Sequence, residues 1–130
     1  MVKNSLVEND IKDGAKLISK LDQSGLDITV ALWLYQEDLD EWRLVISSPK
    51  LAEERLRMAY RKVFKILDEM GYTNIKSQDI SIIRPSNRLI QSLDLALDQK
   101  PQSLDQGIKV SGTFNGIYIE DAYIYRLQTD

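Results

Sequence analysis

The chain contains no cysteine and no histidine, only three prolines and six glycines in 130 residues, and no apolar run that approaches a membrane span. Each absence excludes a chemistry. Without thiols there is no disulfide framework, no cysteine zinc site and no thiol nucleophile; without imidazole there is no His acid or base and no Ser-His-Asp relay. GxGxxG, GxxxxGK[ST] and GxSxG are missing as well, so no cofactor is expected. Spanning a bilayer takes roughly 20 consecutive apolar residues, and the N-terminus has no basic start followed by an apolar run and a cleavage site. No membrane association is expected, and the expected compartment is the cytoplasm.

What is present is an ordinary globular composition: 43% hydrophobic and 28% charged residues, enough for one α+β domain. Net charge is -3 but unevenly spread. Residues 1–48 carry five basic and nine acidic side chains, residues 49–85 carry eight and five, and residues 86–130 carry four and six. Only the middle third offers a polyanion an attractive field, and the acidic flanks oppose it beyond about 8–10 Å in physiological salt.

Periodicity orders the elements α-β-β-α-β-α-β-β. Ser5-Leu6-Val7-Glu8 has the Ser-x-x-Glu spacing of a capping box; Val7, Ile11, Gly14, Ile18 and Leu21 then recur at helical spacing up to Gly25. Gly14 sits on that apolar stripe, where a glycine costs about 1 kcal/mol relative to alanine; either a neighbouring backbone approaches it closely or the glycine is merely tolerated. ITVALWLYQ at 28–36 and EWRLVIS at 41–47 are β-rich and close into a hairpin. Pairing Gln36 with Glu41 places Ala31, Trp33, Tyr35, Trp42, Leu44 and Ile46 on one face.

A long helix is predicted from the Pro49–Ala52 region to about Met70, burying Ala52, Leu56, Ala59, Val63, Ile66 or Leu67, and Met70. A short strand follows at Asp79 to Ile83, then a helix capped by Ser86, a loop over 98–107, and two strands joined by Asn115-Gly116. Two hairpins and a lone strand give a five-stranded, mostly antiparallel or mixed sheet packed with three helices. Glu120-Asp121 interrupts the last strand, where a bulge would reset which side chains face inward.

Three surfaces are candidates for function. Trp33, Tyr35 and Trp42 crowd the first hairpin and Tyr118, Tyr123 and Tyr125 the last strand; large rings on strands serve a core, or, on an open face with Arg43 and Arg126, a protein partner or a homodimer. Glu120 or Asp121 with Lys109 is the alternative, a carboxylate metal site for phosphoryl transfer or nuclease chemistry. Arg57, Arg61 and Lys65 at i+4 steps form a stripe that serves as a solvated amphipathic face, with Glu53–Arg57 and Lys65–Glu69 as expected local neutralisers, or follows nucleic-acid phosphates. The leading expectation is a non-enzymatic interaction or regulatory module that self-associates.

ALWLY at 31–35, EWRLVISSP at 41–49, YIEDAYIYRL at 118–127 and, loosely, AYRKV at 59–63 resemble a group of small bacterial proteins of unknown function. The resemblance implies a free-standing bacterial protein and marks the two strand regions; no activity or site residue comes with it.

Overall fold

The computed structural model describes residues 5–129. Its elements are α1 (Glu8–Gln23), β1 (Val30–Gln36), β2 (Glu41–Ser47), α2 (Pro49–Ala52), α3 (Leu56–Glu69), β3 (Ile80–Ile82), α4 (Arg88–Ala96), β4 (Ile108–Phe114) and β5 (Ile117–Leu127). The strands form one sheet in the order β3-β2-β1-β5-β4. All pairs are antiparallel except β2 with β3, which makes the sheet mixed and the fold α+β. Among the described residues no helix is long and apolar enough to cross a membrane.

Gln36 pairs with Glu41 as the strand pattern requires, and this register sorts the side chains onto two cores. Ala31, Trp33, Leu44 and Ile46 join α1 and α3 on one face, with Leu17, Ile18, Val63 and Leu67 beneath them. Val30, Leu32 and Val45 join Ile90 and Leu93 of α4 on the other. Both faces of β1 are therefore covered, which accounts for its nearly continuous apolar run.

β5 changes sides twice. Val110 pairs with Ala122 but Gly112 pairs with Ile119, so Glu120 and Asp121 oppose one residue in a bulge at the predicted place. A second bulge falls where Ala31 meets Arg126 and Leu32 meets Ile124. Ile119, Ala122, Ile124 and Leu127 thereby all reach the α4 side, while Tyr125 and Arg126 both turn toward α1, to Ile11 and Asp22 respectively. Asn115 and Gly116 take φ of 48° and 87°, the left-handed pair expected of this hairpin turn.

The long helix is two helices. α2 ends at Ala52 and Arg55, at ψ 143°, leads into α3, so the described residues form four α-helices where three were expected. Burial explains the break: α2 turns Leu51 into the core, and α3 buries Ala59, Val63, Ile66 and Leu67 in a different phase, leaving Leu56 62% exposed. Glu53-Glu54-Arg55 between them has no apolar side chain to bury, and Glu54 is held instead by Lys62. Two caps also differ from expectation. At α1 it is Asp10 that accepts from the Val7 N–H, at 3.3 Å, and at α4 Asn87 rather than Ser86 accepts from the Leu89 N–H, at 2.9 Å.

The two sheet edges are treated differently. Along β3, the Tyr60 hydroxyl on α3 accepts a hydrogen bond from the Ile82 N–H at 3.0 Å, occupying one outward donor of that edge. β4, the other edge, carries exposed Lys109, a charge that discourages strand addition.

Candidate interaction surface

The aromatic set is mostly core. Trp33 is 3% exposed and Tyr125 1%. Trp33 Nε1 donates to the Tyr125 hydroxyl at 2.8 Å, and that hydroxyl donates to the Ile11 carbonyl at 2.6 Å, so the polar tips of both rings are satisfied in the interior. Gly14 explains itself here: a Cβ would stand 2.3 Å from the Tyr125 oxygen and 3.0 Å from Trp33 Nε1. The close neighbour is a pair of side chains, not a backbone.

Tyr118 stands 66% exposed, whereas Tyr123 packs on Tyr125 and Tyr35, Trp42, Arg43 and Arg126 are also engaged within the chain. Tyr35 is buried, donates to Asp40 at 2.5 Å and packs against half-buried Trp42 with centroids 5.4 Å apart. Arg43 donates to Ser81 at 2.8 Å and pairs with Glu41 at 3.4 Å. Arg126 donates to Asp22 at 2.7 Å and to the Ile28 carbonyl at 2.8 Å. Of the two uses that rings on these strands can have, packing accounts for Trp33, Tyr35 and Tyr125, and the two arginines tie elements together.

Two of these phenols resist ionisation. The hydrogen bond to Asp40, then burial and the neighbouring carboxylates including Glu120, push Tyr35 up to about 12; burial raises Tyr125, against the lowering effect of the Trp33 bond. Both neutral forms are favoured by the fold, so their contribution is full below the ordinary value of 10.0 and is lost as pH rises through the raised values. In a phenolate absorbance titration of the six tyrosines, two are expected to ionise late, with thermal stability falling from pH 10 upward. A single ionisation step for all six near pH 10 would contradict this.

The carboxylate alternative has part of its geometry. Because Ile119 and Ala122 both face α4, the bulge turns Glu120 and Asp121 together toward the opposite face. The Glu120 Oε2 atom is buried with no hydrogen-bond partner among the described residues. The register sets Lys109 against Tyr123, diagonal to Asp121. Among the described residues, however, no group of three or more Asp or Glu side chains converges to hold a metal ion.

The basic stripe is different. Arg57, Arg61 and Lys65 are exposed on α3, and none of them forms an ion pair or side-chain hydrogen bond among the described residues. The expected neutralisers are not in place. The break before Leu56 takes Glu53 off the helix that carries Arg57, and Lys65 and Glu69 do not come within ion-pair distance.

Beside the three cations lie Tyr60 and Phe64, half-buried, their rings 5.5 Å apart and inclined at 48°. Together these five side chains line a shallow, open groove along α3 alone, with Asp68 and Glu69 at its C-terminal end. No protein family, curated protein or solved structure matches this chain. The groove is thus characterised by its own chemistry: an aromatic floor beside a row of cations that have no partner among the described residues. The two rings were not among the sequence candidates, yet the signal is there. Arg57-x-x-Tyr60-Arg61-x-x-Phe64-Lys65 repeats a cation and a ring at alternating steps of three and one, which on a helix lays two adjacent stripes.

Proposed function

We propose that the protein is a non-enzymatic interaction module of the cytoplasm, and that the α3 groove receives an acidic protein segment carrying an apolar side chain. The observation that carries this reading is the row of unneutralised Arg57, Arg61 and Lys65 beside the Tyr60–Phe64 floor. On a helix, steps of four residues space these cations by about 6 Å, a separation that two neighbouring acidic side chains of a partner segment can span. Acidic side chains on one side of the segment therefore meet successive cations, and an apolar side chain on that same side reaches the rings.

A nucleic acid fits less well. The cationic row spans only about 12 Å before it meets Asp68 and Glu69, which would repel a continuing phosphate chain. Rings inclined at 48° and half-buried in the core are poor platforms for successive stacked bases. The overall charge of -3 also opposes a long polyanion.

The test is fluorescence anisotropy with a labelled peptide that places Leu or Phe among Asp and Glu residues. Replacing Arg57, Arg61 and Lys65 by Gln is expected to weaken binding about tenfold, since three exposed ion pairs of about 0.5 kcal/mol each sum to roughly one decade. Raising salt should weaken the wild type in the same direction. Equal binding by wild type and triple variant, or preference for a single-stranded oligonucleotide, would reject the reading.

A further inference from the structure

Resting on that reading of the groove, we infer that its occupant is the β1–β2 tip of a second copy of this chain. The tip has the required composition. Glu37, Asp38 and Leu39 form a single 3-10 turn, reversed by Asp40 at φ 47° before Glu41 opens β2. Leu39, at the apex, is 64% exposed. Most of this leucine lies outside the fold, and neither β1 nor β2 leaves an apolar side chain so open.

Charge is complementary on the two surfaces. Glu37 and Asp38 are exposed and form no ion pair among the described residues, matching the unpaired Arg57, Arg61 and Lys65. Leu39 meets the Tyr60–Phe64 floor, the one apolar element of the groove. Asp68 and Glu69 set the direction: they repel the acidic tip from the C-terminal end of α3 and hold it toward Arg57 and Arg61. Tip and groove are separate surfaces of one molecule, so the contact is heterologous, each copy offering both halves.

This geometry makes a mixing experiment decisive. Sedimentation velocity of the full chain at low salt should show a mass that rises with concentration above 15.0 kDa and returns to it at high salt. Arg61→Glu, which spoils the groove, and Asp38→Lys, which spoils the tip, should each lose at least about tenfold in association. Mixed in equal amounts, the two variants should associate again, because the intact groove of one meets the intact tip of the other. Arg57→Glu replaces Arg61→Glu if the latter fails to fold, as judged by circular dichroism.

A wild type that stays at one chain's mass at every concentration, or variants that associate as the wild type does, would overturn the inference. If the acidic peptide still binds the groove in that event, the partner assignment alone has failed. Loss of both self-association and peptide binding removes the groove reading as well.

Discussion

Trp33→Ala lowers the unfolding free energy by about 3–5 kcal/mol, the usual cost of removing a large buried ring. The side chain lies between β1 and α1 at 3% exposure, and its indole N–H is spent on Tyr125, so truncation leaves a cavity and removes a satisfied internal hydrogen bond together. Urea denaturation should show the midpoint falling at nearly constant slope, and association, measured where the variant is folded, should be unchanged. A loss below about 1 kcal/mol with weakened association would instead place this tryptophan at an interface.

Gly14→Ala should destabilise by about 1–3 kcal/mol, opposite in sign to the roughly 1 kcal/mol that alanine normally adds within a helix. The added Cβ meets the Tyr125 oxygen at 2.3 Å. That oxygen cannot retreat without giving up Trp33 Nε1 or the Ile11 carbonyl. In a Tyr125→Phe background the oxygen is gone and the penalty should shrink, a coupling that a double-mutant cycle measures directly. Additive effects would mean that Gly14 is tolerated for another reason.

These two results probe the part of the structure that reads most readily from sequence. The β1–β2 register was legible because two alternating runs joined by four residues allow one pairing that keeps Trp33 and Leu44 on the same face. The Glu120-Asp121 bulge was legible because two charges interrupt an apolar alternation. Its companion at Tyr125-Arg126 was not, since an aromatic and an arginine continue the alternation without a visible break and only the demands of Ile11 and Asp22 reveal the turn.

The split between α2 and α3 was hidden for a related reason. Glu53-Glu54-Arg55 contains no Gly or Pro, and Leu56 falls in phase with Ala59 and Val63, so local pattern favours continuity; burial of Leu51 overrides it. That tertiary choice is what frees Arg57 from Glu53. The cationic row was therefore visible in the sequence, whereas its lack of neutralisation, on which the groove depends, was not. The rings of the first hairpin were ambiguous throughout, because a buried and an exposed Trp33 have the same neighbours in sequence.

The proposed function is engagement of the exposed face of α3 by an acidic, apolar-bearing protein segment. Amide chemical-shift mapping of the isotope-labelled chain, titrated with the acidic peptide at low salt, reports that engagement residue by residue. The shifts should concentrate along residues 57–65 and disappear at high salt or in the Arg57, Arg61, Lys65→Gln variant. Shifts confined to other surfaces, or none at saturating peptide, would contradict it.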